Sequence, residues 1–152
     1  MTGHDDGGAR SLVVDYLKRV WGERDLTALD ALLDPGYRRH ISPILEPLDI
    51  EGQRGRLRAM QAAFPDAAIE VGEIVAQGDL VAFQSVMRGT HRASFRGLPP
   101  TGRSFEVHLV DLVRIHDGRL IEHWGGPDLL DLVTQLGATI EPGLIAEGTS
   151  LS

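Results

Sequence analysis

The sequence predicts an α+β domain in which a curved, mostly antiparallel sheet wraps around N-terminal helices, and three observations point there. Apolar residues recur at three- and four-residue steps from Leu12 to Trp21 and again in segments before Phe64, which is the spacing of a helical stripe. The runs Leu80 to Thr90, Phe105 to His116 and Arg119 to Trp124 read as strands. Asp117-Gly118 between two such runs is a two-residue hairpin signal, because both central positions of a type I′ turn need positive φ. Strands joined by hairpins pair antiparallel, since parallel neighbours require long crossovers. A sheet curled over helices leaves a cone with a concavity inside, where ligand sites are favoured.

The first helix is expected over Ser11 to Trp21, with Ser11 as N-cap and Leu12, Val13, Tyr16, Leu17, Val20 and Trp21 on one stripe. A second follows Asp25, turns Leu26, Leu29, Leu32 and Leu33 inward, and stops near Asp34-Pro35-Gly36. Tyr37 to Ile50 carries two prolines, Pro43 and Pro47, and reads as irregular; a third helix is expected from Gly52 to Phe64. Ile69, Val71, Ile74 and Val75 form a strand broken near Gly72, and Gln77-Gly78-Asp79 is a turn before the strand Leu80 to Thr90. A long connection, Arg92 to Arg103, leads to the clearest strand, Phe105 to His116. Phe105, Val107, Leu109, Asp111, Val113 and Ile115 share one of its faces; His108, Val110 and Leu112 share the other. With both faces largely apolar, this strand is expected to be central and covered on both sides. Arg119 to Trp124 returns antiparallel, and a last helix runs from about Pro127 to Leu136, ending at Gly137.

At 152 residues the chain suits one domain: a flexible start over 1–10, the folded unit over 11–137 and a tail over 138–152. Twenty-two Asp and Glu against 15 Lys and Arg give −7, a field that repels phosphate backbones and anionic lipid. Nucleic acid and membrane are therefore not expected partners. The absence of cysteine removes thiolate chemistry and disulfides and fits a reducing, cytoplasmic setting. No HExxH-like spacing joins the six histidines, so no metal is expected. No GxSxG elbow or P-loop occurs.

Between Gly89 and Gly137 stand GTH (89–91), GLPPTGR (97–103), RIHDGRLIEHW (114–124), PDLL (127–130) and QLG (135–137). In order and spacing this resembles the SnoaL-like polyketide cyclases, a branch of the nuclear-transport-factor-2-like cone fold, over about residues 11–137. The resemblance implies cofactor-free ring closure in an enclosed pocket, by an aspartate helped by a histidine on the adjacent strand. The family's aspartate falls here on Gly125, and its histidine on Asp111. The expected acid is missing, and a carboxylate stands where the relatives have imidazole.

Asp111 is the first candidate for catalysis. A carboxylate amid apolar residues is costly unless paired, and burial there can bring it into the range useful for acid/base work; the plainer reading is an ion pair to an arginine. His123 shares strand parity with Gly125 and is expected to face the same cavity as a proton partner. His40 is the third catalytic candidate, at the mouth beside Tyr37. Trp21, Tyr37, Met60, Phe64, His91 and Trp124 are candidate substrate contacts, on the principle that one side of a hollow cone's core is its pocket wall.

Three functions follow from these residues. One is a biosynthetic cyclase acting on an apolar polyketide-like small molecule, by carbon–carbon or ether-ring closure. Another is epoxide opening, which needs a second acid. The third is a binding protein without catalysis. The apolar outer face of the 105–116 strand predicts a homodimer.

Overall fold

Residues 6–139 and 141 are described in the computed structural model of the protein. The elements follow in order: α1 (Asp6–Leu17), a π-helical turn (Lys18–Gly22), a 3-10 turn (Leu26–Ala28), α2 (Leu29–Leu32), β1 (Leu33–Arg39), α3 (Ile50–Ala63), β2 (Ala68–Gln77), β3 (Leu80–Thr90), β4 (Ser104–His116), β5 (Arg119–Pro127) and α4 (Leu129–Gln135). Five strands make one sheet in the order β1-β5-β4-β3-β2. All its pairs are antiparallel except β1 with β5.

Helix α1 begins at Asp6, inside the stretch expected to be a flexible start, so Ser11 lies within the helix and is not its N-cap. The expected stripe holds: Val13, Tyr16, Val20 and Trp21 are buried. The wider π turn lets the consecutive residues Val20 and Trp21 both point inward. Aspartates cap α3 and α4. Asp49 accepts from Gly52 N–H at 2.8 Å and Asp128 from Asp131 N–H at 3.0 Å, each satisfying an otherwise orphaned donor.

The segment after α2 departs from expectation. Leu33 opens a strand, and Asp34-Pro35-Gly36 lies within it where a helix stop was expected. Proline lacks an N–H and is tolerated at a sheet edge. Here β1 is the edge, and its register on β5 shifts between Leu33 and Arg38, across Pro35. Strand β2 is continuous from Ala68 to Gln77, with the predicted irregularity at Gly72 appearing as a register shift between Val71 and Ile74.

The hairpin after β4 turns on Asp117 (φ 47°) and Gly118 (φ 73°), as the Asp-Gly signal requires. Strand β4 is the middle strand, and its burial alternates strictly from Phe105 to Val113. The inward set packs with α1, α3 and the buried residues of β3 in one core. Among the described residues, the outward set is left open: Val110 is 66% exposed and Leu112 37%.

Candidate active site

Asp111 lies opposite Gly125, and Val113 opposite His123, in the antiparallel β4–β5 pair. Asp111 and His123 are therefore diagonal neighbours on the inward face. His123 Nε2 stands 2.8 Å from Asp111 Oδ1, with both residues buried. The Tyr37 hydroxyl, from β1, lies 3.5 Å from His123 Nδ1. The Tyr16 ring meets the imidazole edge-on.

Burial pushes the His123 pKa down to about 4 against the upward pull of the Asp111 hydrogen bond, and the Arg39 charge lowers it further. His123 is thus neutral at pH 7. In the tautomer in which the neutral imidazole donates from Nε2 to Asp111, the Nδ1 lone pair faces Tyr37. Burial raises the pKa of both Tyr37 and Tyr16, so both remain O–H donors at neutral pH.

Arg39, two residues after Tyr37 on β1, shares its inward parity and is 2% exposed. Its Nη1 lies 3.9 Å from Asp111 Oδ1, and its Nη2 donates to the Gly125 carbonyl. Arg39 Nε and Nη1 are buried without a hydrogen-bond partner. A buried unsatisfied donor costs about 1–3 kcal/mol and more when charged, so two on one guanidinium call for a partner from outside the chain. Arg56, on α3, joins Gln53 and Met60 at helical spacing on the cavity side. Burial and the charge of Arg39 push its pKa down to about 10, which leaves it cationic at pH 7.

These side chains enclose an inner cavity of about 40 Å³ whose wall also includes Trp21, Phe83, Ser85 and Leu109. Arg39, Arg56, Met60, Gly126 and Pro127 also border an outer pocket of about 350 Å³, rimmed by Ile41, Phe95, Arg96 and Leu129. That volume lies within the range of small-molecule sites. A more open depression of about 550 Å³ lies elsewhere, around Asp66, Arg88, Thr90 and Glu106. Its polar groups satisfy one another: Arg88 binds Glu70 and Glu106, and Thr90 binds Asp66. The outer pocket joined to Asp111 is the stronger site, because it meets a buried acid–imidazole pair and unsatisfied donors.

The family described as SnoaL-like polyketide cyclase matches residues 11–136 of this sequence. The chain belongs to the SnoaL-like polyketide cyclase family. Aklanonic acid methyl ester cyclase DnrD of Streptomyces peucetius is 32% identical over 117 residues, covering 76% of this chain and 77% of that protein. Among solved structures, TsrD from Streptomyces laurentii superposes with a TM-score of 0.79 at 32% identity, over 90% of this chain and 99% of its own. The crystal structure of wild-type IdmH from Streptomyces antibioticus gives 0.74 at 36% identity, over 85% and 98%.

The resemblance implied an acid at 125 and a histidine at 111; here the acid is on β4 and the histidine on β5. Gly125 has φ 92°, and a Cβ built there would meet Val110 O at 2.1 Å. The backbone itself closes the position to a side chain.

The remaining candidates divide. Trp21 and Met60 line the inner cavity, and Tyr37 backs it through His123. His40 and Trp124 do not reach it. Along β1 the inward residues are Tyr37 and Arg39, so His40 turns outward, hydrogen-bonds Glu122 at 3.0 Å and stacks on Trp124 at 4.8 Å. Trp124 has the opposite parity to His123 and pairs with outward Leu112. Phe64 is fully buried in an aromatic cluster with His91, Phe95 and Phe105. His91 is a loop anchor: its Nδ1 accepts from Thr101 N–H at 3.2 Å, while its backbone bonds Arg103 and Gly102.

Arg39, Arg56, Tyr16, Gln53 and Ser85 were not singled out in the sequence. Arg39 was hidden because β1 had no visible periodicity, though its two-residue spacing from Tyr37 was a usable sign. Arg56 shares a helix face with Gln53 and Met60, a polar interruption that resembles a solvated edge. Among the described residues, no group of three or more His, Cys, Asp or Glu is placed to hold a metal ion. No described helix is long and apolar enough to cross a membrane.

Proposed function

We propose that this SnoaL-like cyclase closes a ring in an apolar polyketide-like intermediate without a cofactor, with Asp111 as general base and His123 as the group that holds it. The observation that carries this is the buried 2.8 Å contact between His123 Nε2 and Asp111 Oδ1 at the end of the cavity. Asp111 takes a proton from an acidic carbon or a hydroxyl of the bound chain. The resulting nucleophile attacks a carbonyl carbon of the same molecule, the carbonyl electron pair moves to its oxygen, and the proton on Asp111 passes to that oxygen. The product is an isomer of the substrate. Acid/base assistance supplies about 10²- to 10⁴-fold, and holding a flexible chain in folded geometry contributes further.

Epoxide opening is less well supported. Among the described residues lining the two joined cavities Asp111 is the sole carboxylate, and the nearby Asp128 is committed to capping α4. The apolar outer face supports a homodimer formed through the sheet.

The test is Asp111→Asn assayed for turnover beside wild type, with ligand binding measured in parallel. The substrate comes from the intermediate accumulated by a strain lacking the gene. Turnover is expected to fall by about 10²-fold or more with binding retained. Equal turnover would remove Asp111 from the chemistry, and binding without turnover in either protein would favour a carrier.

A further inference from the structure

The inner cavity carries more positive charge than its one carboxylate balances. Among the described residues, the Arg39 guanidinium makes a single hydrogen bond, from Nη2 to the Gly125 carbonyl, and meets Asp111 only at 3.9 Å. Its Nε and Nη1 are buried and unpaired, and the Ser85 hydroxyl on the same wall is also unpaired. Arg56 borders both cavities with Arg39, and Arg96 stands at the rim of the outer one. Three guanidiniums against Asp111 make this a cationic pocket in a chain whose net charge is −7. Attraction for an anion is therefore a local property of the site, since the whole-protein field opposes it.

We infer that Arg39 and Arg56 form an oxyanion seat: they bind an anionic oxygen conjugated to the apolar body of the substrate, and the pocket selects acidic over neutral ligands. The inference rests on reading this cavity as the substrate site and goes beyond it by naming the charge class of the ligand. Guanidinium is suited to the task because it stays charged when desolvated and offers several N–H groups in a fixed plane. The bound oxygen has two chemical sources, a standing carboxylate or the enolate formed when a proton is removed. In the second case the same two arginines stabilise negative charge as it develops in a water-poor site.

Binding of small probes, measured by calorimetry, separates these without requiring turnover. 2-Naphthoate and its methyl ester test the carboxylate; 4-nitrophenolate and 4-nitroanisole, at a pH where the phenol is ionised, test the enolate-like oxygen. Wild type is expected to bind at least one anion about 10-fold or more tighter than its neutral partner, the worth of one charge-assisted hydrogen bond. A preference confined to naphthoate identifies a carboxylate, and one confined to nitrophenolate an enolate-type oxygen. Arg56→Gln is expected to reduce the preference to a few-fold or less. Arg39→Lys keeps a charge but loses the planar donors, and provides a second variant where removal of the buried cation would unfold the chain. No preference for either anion in wild type, or a full preference retained in both variants, would overturn the inference. Loss of turnover in Asp111→Asn alongside such a result would leave the cyclase reading intact.

Discussion

The Cβ that any side chain at Gly125 requires would lie 2.1 Å from the carbonyl oxygen of Val110 across the β4–β5 pair. Gly125 also has φ 92°, a conformation that costs L-residues energy even in open space. Restoring an acid here should therefore harm the fold. Gly125→Asp is expected to lose about 3 kcal/mol or more of stability in denaturant titration, with no gain in turnover. A Gly125→Asp protein as stable as wild type would show that β5 can re-route, and that the acid could be carried on either strand.

The depressed pKa of His123 sets a sign for the pH dependence of stability. The folded ring titrates at about 4, and the unfolded one near 6.5. Between those values the unfolded chain binds more protons, so stability rises with pH and is lost as pH falls from about 6.5 toward 4. The loss is about 3 kcal/mol across the whole window. Asp25, Asp34 and Asp66, whose pKa values are lowered, act in the same direction but at more acidic pH. His116, raised by Asp34, acts oppositely. In His123→Gln, denaturant midpoints between pH 6.5 and 4 should change less than in wild type. An identical slope would mean that His123 does not titrate in this window. Because the ring is already neutral at pH 7, His123 should add no falling limb to the rate profile near neutrality.

Strand parity made Asp111 and His123 legible, because β4 and β5 alternate cleanly and share an Asp-Gly hairpin. The same rule places Trp124 outward; its size suggested a pocket wall, but its position on β5 decides. Strand β1 was illegible for a physical reason. Its partner β5 lies more than 80 residues away in sequence and pairs with it in parallel, and Pro35 looks like a helix stop unless the edge position is known. Missing β1 hid Arg39 and turned His40 toward a cavity it does not reach. The unsatisfied donors of Arg39 are a tertiary property, since they emerge only when α3, β4 and β5 close around a guanidinium carried on β1.

His40 offers a direct check on that parity. It stacks on Trp124 and binds Glu122, which also bonds Arg114, all on the side of the sheet away from Asp111. His40→Gln is expected to leave kcat and KM within about twofold of wild type, as substitutions outside the site usually do. A loss of 100-fold in kcat would return His40 to the proton path.

The last prediction concerns the outer sheet face. Val75 pairs with Ala82, Ala82 with Leu112, and Leu112 with Trp124, so one row of apolar side chains crosses four strands, with Val110 beside it. Val75 is 64% exposed and Val110 66%. A contiguous apolar patch of this kind is a customary site of association, and a two-fold axis would let the same face cover itself. Wild type should therefore run in sedimentation or light scattering at twice its 16.6 kDa chain mass. The double substitution Val110→Glu and Leu112→Glu places like charges against each other across the axis and leaves the inward residues of β4 untouched. It should give a folded monomer. A wild-type protein that is monomeric in dilute solution would end the proposal, as would a double variant that stays dimeric, since association would then run through another surface.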